Sequence, residues 1–228
     1  MQRMFDAIAG TYERFNTLAT FGRDAAWRRC AVAAAAPRRG DLVLDLCCGT
    51  GDMLRAFAAA EPALALLVGV DFSRGMLDRA DFAGVRVPVQ LLQADALRLP
   101  LADATADIIA CAFGVRNFAD VRAGLDEMAR VARPGARVVI LEFATPDNRF
   151  LRALYQFYCD RVLPLLGAAL SRAGSGAYAY LPRSIRTFET TRTMLGRLTA
   201  AGFSDVRVRR LNLGGVAVYS GTKPPPAG

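Results

Sequence analysis

A buried-strand pattern that runs straight into a glycine turn limits what this chain can fold into. Leu42-Val43-Leu44-Asp45-Leu46 reads as a strand, Gly49 and Gly51 follow one residue apart, and helix-compatible sequence (Met53 to Ala60) begins at once. In a strand, glycine turn and helix of this kind, the missing side chains let a ligand lie against backbone N–H groups. Spacing then excludes two kinds of phosphate-binding turn. Asp52, Met53 and Leu54 follow Gly51, so the third glycine of the dinucleotide fingerprint is missing, and no Gly-Lys-Ser/Thr follows to make a P-loop. What remains is Asp45-x-x-x-Gly49-x-Gly51, with an acid, Asp71, closing the next apolar run Leu66 to Val70. The bland alternative is an ordinary tight turn between a strand and a helix.

The chain around the turn alternates strand and helix with short connections, the pattern of a parallel sheet covered on both faces. The periodicity predicts strands at 42–47, 66–71, 89–94, 107–113 and 136–143, and helices at 52–60, 73–82 and 120–132. Pro134-Gly135 punctuates the approach to the fifth strand. A helix at 191–201 and strands near 203–211 and 215–221 then close the sheet with an antiparallel hairpin. The expected fold class is α/β: a Rossmann-like, seven-stranded, mostly parallel sheet with helices on both faces and an antiparallel last strand. The expected organisation is a single domain, 1–222, with 223–228 a disordered tail. Within it, 1–36 forms a helical cover, with Phe5, Ile8, Tyr12 and Phe15 on one face, and 144–190 forms a helical cap inserted between strands five and six.

Composition narrows the chemistry. The 228 residues include no histidine, so no imidazole base, histidine metal ligand or histidine-based triad exists in this chain. Proton transfer must use a carboxylate, a tyrosine, water or the substrate, and no metal is part of the expected chemistry. The net charge of +8 suggests nucleic acid at first sight. However, Lys223 is the only lysine, the arginines are scattered, and clusters such as Arg28-Arg29 and Arg207-x-Arg209-Arg210 are short. No nucleic-acid partner is therefore expected, whereas a mild attraction to anionic lipid headgroups fits the charge. Cys30, Cys47, Cys48, Cys111 and Cys159 form no C-x-x-C pair and read as reduced thiols. No run approaches the roughly 18 apolar residues of a membrane span. The first residues carry no apolar signal core. The expected location is the cytoplasm, with peripheral contact at the inner face of the membrane.

The pattern of Asp45, Gly49, Gly51 and Asp71 resembles the S-adenosylmethionine (SAM) site of class I methyltransferases. SAM has no pyrophosphate, so its turn need not crowd onto a helix N-terminus. Ligands in such sheets bind beyond the carboxyl ends of the strands, and the candidates stand there. Asp71 offers two oxygens to the ribose hydroxyls; its alternative role as a helix cap is weakened because Ser73 stands ready to cap the helix. Asp95-Ala96 would set a carboxylate on the adenine amino group with an N–H beside it, or else form a solvated loop. Asp45 anchors the turn or the SAM ammonium, Thr50 offers its hydroxyl and backbone within the turn, and Ala112 at the end of strand four completes the set. Tyr12 either closes over the donor or is a packing aromatic.

Beyond strand four the likeness narrows. Phe5-Asp6-x-Ile8-Ala9-x-x-Tyr12, Phe113-Gly114-x-Arg116-Asn117, Leu141-Glu142-Phe143, Pro164-Leu165-Leu166-Gly167 and Tyr178-x-Tyr180-Leu181-Pro182-x-Ser184-Ile185 together resemble the menaquinone and ubiquinone biosynthesis C-methyltransferases. That resemblance covers roughly residues 3–221. It implies transfer of the SAM methyl group to a ring carbon of a reduced, prenylated benzoquinol or naphthoquinol, with Arg116 stabilising the phenolate and Asn117 orienting the ring oxygen or a water. Arg116 otherwise holds its loop through a salt bridge to Glu142 or Asp120. The apolar, arginine-interleaved stretch 144–190 either holds the prenyl tail and rests on a membrane surface or packs as a helix pair or homodimer interface. Cys47-Cys48 and Val218-Tyr219 depart from the family, which carries small residues at the first place and a histidine near the second. Competing readings are a class I methyltransferase for another hydrophobic small molecule or lipid, and a non-catalytic SAM-binding assembly factor. An NAD-linked oxidoreductase fits least.

Overall fold

Seven strands join in one sheet in the order β3-β2-β1-β4-β5-β7-β6, seen in a computed structural model that describes residues 17–163, 165 and 183–225. The strands are β1 Leu42–Leu46, β2 Leu66–Asp71, β3 Val89–Gln93, β4 Ala106–Ala112, β5 Ala132–Phe143, β6 Ser204–Leu211 and β7 Val216–Thr222. Strands β1 to β5 run parallel, and β7 enters antiparallel between β5 and β6. The expected seven-stranded, mostly parallel sheet with an antiparallel last strand is what forms.

The period of two in each strand explains its two-faced burial. In β1, Val43 packs into one core while Leu44 and Leu46 pack into the other; in β4, Ile108 and Ala110 join the first and Ile109 and Cys111 the second. Helices α1 (Asp24–Ala35) and α2 (Asp52–Ala60) cover the first face with Trp27, Ala31, Leu54 and Phe57. Helices α4 (Val121–Val131) and α6 (Thr191–Ala200) cover the second with Leu125, Met128, Met194 and Leu198. Fully burying each such large side chain stabilises the fold by about 1.5–3 kcal/mol. Polar side chains set where helices begin. Asp120 accepts from the Ala123 amide at 3.1 Å and Thr190 from the Thr193 amide at 3.2 Å, caps that contribute about 1 kcal/mol each.

Two boundaries differ from expectation by more than one residue. The helix predicted over 73–82 is a single turn, α3 (Arg74–Leu77), capped by Ser73 as expected. Its successor bonds tighten to three-residue spacing, Arg79 to Met76 and Ala80 to Leu77. An Asp81 side-chain turn onto the Ala83 amide and Gly84 at φ +80° then reverse the chain. Strand β5 starts four residues early, at Ala132, because Pro134-Gly135 is absorbed as a register break between the Ala106–Ala132 and Ile108–Arg137 pairs. Of the expected 1–36 cover, residues 1–16 lie outside the described residues, and so do 164 and 166–182 of the 144–190 cap. The described part of that cap is α5 (Arg149–Phe157), which runs on into a π-helical turn, Tyr158–Val162.

Strand order reverses between β1 and β4, the place where a sheet of this type opens a crevice at its carboxyl edge.

Candidate functional site

That crevice has a volume of about 490 Å³ and gathers the ends of four strands. Gly49, Asp71, Asp95, Ala96, Ala112, Arg116 and Asn117, all singled out from the sequence, stand on its wall. Asp45, Thr50 and Gly51 do not. Thr50 is buried and its carbonyl accepts from Arg55 at 2.8 Å. Gly51, at φ +88°, lies so close to Phe82 that a Cβ there would sit 2.6 Å from the ring. These two residues shape the turn rather than the wall. Tyr12 lies outside the described residues. Pattern reasoning missed Cys47, Phe72, Met76, Phe113 and Phe118 on the wall; Cys47, Phe72 and Phe113 each directly follow a strand end, which is the one signal that points to them.

Asp71 is 5% exposed and its carboxylate is clamped on both sides: the Gly49 amide donates to Oδ2 at 2.9 Å and the Ser73 amide to Oδ1 at 2.8 Å. One side chain thus ties the glycine turn to the end of β2 and fixes its own oxygens toward the crevice. Asp95 folds into a local turn, accepting from the Leu97 amide at 2.9 Å.

Asp45 differs. It is 1% exposed on β1, and neither carboxylate oxygen has a hydrogen-bond partner among the described residues. Burial pushes its acid well above the ordinary value of 3.8; Arg28 on α1 draws it back, while Asp71 and Asp52 push it further up. Arg28 is itself committed to Asp24 at 2.5 Å and Asp52 at 3.0 Å. An unpaired buried carboxylate is costly, and a cationic amine brought beside the glycine turn would offset that cost. The ammonium of SAM is such a group, so these residues fit the donor.

At the far end of the crevice Arg116 follows β4 in a 3₁₀ turn, Val115–Asn117. Its Nη1 pairs with Glu142 Oε1 at 2.9 Å, its backbone amide donates to Glu142 Oε2 at 3.2 Å, and Nη1 also bonds the Phe113 carbonyl. Their side chains are 5% and 0% exposed. Glu142, not Asp120, is therefore the salt-bridge partner; Asp120 caps α4. The Arg116 Nε is buried without a hydrogen-bond partner among the described residues. Asn117 Nδ2 reaches the Phe113 carbonyl at 3.4 Å. Gly114 is held to glycine by its surroundings: a Cβ there would lie 2.6 Å from the Cβ of Cys47 and 2.7 Å from the sulfur of Cys111.

A second cavity of about 570 Å³ opens behind Arg116 and shares no lining residue with the first. Trp27, Phe143, Leu151, Tyr155, Leu163 and Val216 line its interior, and Phe21, Leu154, Phe157 and Leu213 rim it. Burial pushes the Tyr155 phenol well above its ordinary value, with Cys159 adding to the shift, so Tyr155 keeps its proton at neutral pH. It donates to the Gly215 carbonyl at 3.3 Å. Phe21 and Leu213 hold left-handed backbone, φ +52° and +56°, while 77% and 76% exposed. Strain of about 1–3 kcal/mol at an exposed apolar residue points to a functional surface.

Comparison with known proteins agrees with this geometry. A demethylmenaquinone methyltransferase of Mycobacterium sp. (strain KMS) is 43% identical over 222 residues, 97% of this chain and 93% of that protein. The Thermus thermophilus protein of the same name is 41% identical over 97% of this chain and its own full length. A ubiquinone/menaquinone biosynthesis C-methyltransferase of Geobacter sulfurreducens is 40% identical over 96% and 87%. Solved structures share the fold at lower identity. A methyltransferase bound to the Haloferax volcanii Trm112 activator has a TM-score of 0.71 at 18% identity, covering 100% of this chain and 99% of that one. A SAM-dependent methyltransferase of Thermotoga maritima has 0.64 at 19%, covering 98% and 99%. The model of the ubiE/COQ5 methyltransferase family matches residues 1–223, and the chain belongs to that family.

Proposed function

We propose that this protein is a SAM-dependent C-methyltransferase of respiratory quinone biosynthesis, methylating a ring carbon of a reduced prenylated quinol. The observation that carries the reading is the juxtaposition of two unlike spaces: a crevice of clamped strand-end carboxylates and, behind Arg116, an apolar cavity whose mouth is lined with exposed aromatic and aliphatic side chains. When bound, SAM supplies an electrophilic methyl group on a cationic sulfur. The chain's own residues do the rest. Asp71 would hold the ribose, Asp95 with the Ala96 amide would meet the adenine edge, and Asp45 would answer the ammonium directly or through water. Ala112 and Gly49 keep side chains out of the donor's way.

At the acceptor, an ionised phenol makes the neighbouring ring carbon nucleophilic, and its attack on the sulfonium methyl neutralises opposite charges. A site that excludes water favours that step. Arg116, always protonated, stabilises the phenolate through the edge that Glu142 leaves uncovered, and Asn117 orients the ring oxygen. Glu142 keeps the guanidinium fixed, which is the positioning that methyl transfer needs. Tyr155, held protonated, serves as a donor and not as a base.

The apolar cavity would take the prenyl tail. No helix among the described residues is long and apolar enough to cross a membrane. The mouth instead offers Phe21, Leu154, Phe157 and Leu213 beside Arg23, an arrangement suited to resting on an anionic lipid surface. The reaction is tested by incubating the protein with SAM and reduced demethylmenaquinone or its benzoquinol counterpart. Mass spectrometry should show one added methyl on carbon. Methylation confined to a sterol or phospholipid would replace the reading, and tight SAM binding without any turnover would favour an assembly factor.

A further inference from the structure

The methyl donor and its acceptor cannot react from separate rooms: acceptor carbon and methyl must come within roughly 3–3.5 Å, yet the two cavities share no wall residue. Two rings stand between them. Phe113, on the donor wall, meets Phe143, on the apolar wall, with ring centroids 4.7 Å apart and planes tilted by 38°. Trp27, from the apolar side, sets its edge against Phe113 at 6.3 Å and 62°. The Arg116 guanidinium lies 5.2 Å over the Phe143 ring.

The backbone of Phe113 is held in place. It sits at φ +58°, its amide donates to the Leu141 carbonyl at 2.7 Å, and its carbonyl accepts from Asn117 and Arg116. The Phe143 amide donates to Glu142 Oε1 at 2.8 Å. With both main chains fixed, any opening must come from rotation of the side chains.

Resting on the reaction proposed above, we infer that Phe113 and Phe143 form an aromatic gate which admits the acceptor's ring, and not its tail, to the donor crevice. A planar phenol ring entering between them replaces the contact they make with each other by equivalent stacking on each face. An aliphatic chain gives no such replacement and stays on the apolar side. The entering ring meets Arg116 at the seam, where Nε lacks a partner among the described residues. The ligand class is therefore a flat phenolic or quinonoid ring bearing an apolar chain, and Phe143 is a positioning residue for it.

Trp27 is the only tryptophan in the chain, so its fluorescence reports the gate directly. A short-chain naphthoquinone is titrated as the probe against wild type, Phe143→Leu and Phe143→Tyr; its reduced form is then used as acceptor, and SAM affinity is measured by calorimetry. Saturable quenching of Trp27 is expected in wild type. In Phe143→Leu the probe should bind about tenfold more weakly and the acceptor KM should rise about tenfold, the loss of roughly one stacked contact. Its kcat and SAM affinity should stay within about twofold, and Phe143→Tyr should restore both acceptor measures. Absence of saturable quenching in wild type, or a Phe143→Leu variant with unchanged probe affinity and KM, overturns the gate. Methyl transfer accompanied by those unchanged values leaves the reaction standing and removes the gate alone. Phe143-dependent quenching without any methyl transfer leaves the gate and removes the reaction.

Discussion

The two cavities at the carboxyl edge of the sheet are built by opposite means. The donor crevice is framed by the carboxyl ends of four strands, whose positions follow from strand register. Asp71 ends β2, is clamped by two amides and is almost wholly buried. The apolar cavity draws on side chains from α1, α5, the π-helical turn and the β6–β7 connection. Helix α5 buries none of its residues, and two of the rim residues sit in left-handed backbone. The first region presents fixed hydrogen-bond geometry, whereas the second presents apolar area. Arg116, on the donor wall and paired with the buried Glu142, lies at the junction, its guanidinium 5.2 Å over the Phe143 ring of the apolar wall.

This contrast can be broken at the junction first. Arg116→Ala should destabilise the protein by about 3–5 kcal/mol, because it strands Glu142 as an unpaired buried charge. Denaturant unfolding measures it, and adding Glu142→Gln should recover much of the loss. Turnover should fall while SAM binding stays nearly intact; a wild-type unfolding midpoint would show that the pair is not buried as described. Next in size, Asp71→Ala should weaken SAM by roughly 1.5–3 kcal/mol, about ten- to a hundredfold, with acceptor binding unchanged. Calorimetry finding wild-type affinity would remove Asp71 from the donor site.

Asp45 sharpens the comparison through pH. Its folded acid titrates above the unfolded value of 3.8 because of burial. As pH rises past 3.8 the unfolded chain gives up this proton while the folded chain keeps it, so stability falls until the folded value is passed. Asp45→Asn should therefore make the ligand-free protein more stable at neutral pH, with the advantage shrinking as pH falls toward 3.8, and should at the same time weaken SAM. Thermal melts across pH check the first half and calorimetry the second; a variant less stable at pH 7 would contradict it. The smallest effect belongs to the rim. Leu213→Ser should raise the KM of a prenylated acceptor about threefold, a fraction of the transfer energy of a leucine. Stability should stay within about 0.5 kcal/mol and SAM affinity should not change.

The donor half was legible in the sequence because it depends on local pattern. A strand, two glycines and an acid at the end of the next strand are enough to place Gly49 and Asp71 on one wall. The same pattern does not record that Thr50 is buried within the turn, its carbonyl held by Arg55 from the first turns of the following helix. The shortening of the 73–82 helix has a similar origin: Phe82 has to fold back onto Gly51, a contact between distant positions that periodicity does not record. The acceptor half was hardly legible at all. Its apolar composition was plain, but the meeting of Phe113 with Phe143 and the choice of Glu142 over Asp120 arise only once β4 and β5 lie side by side.

The packing around Gly114 carries a lesson about mutational order. Cys47 occupies left-handed backbone at φ +55° and fills the space that a side chain at 114 would need. Replacing Cys47 with glycine would relieve that backbone and remove two of the three nearest atoms, leaving the sulfur of Cys111 as the next to move. An alanine at 114 is thus closed to this sequence until residue 47 changes, and open afterwards, so the two positions can drift only in that succession.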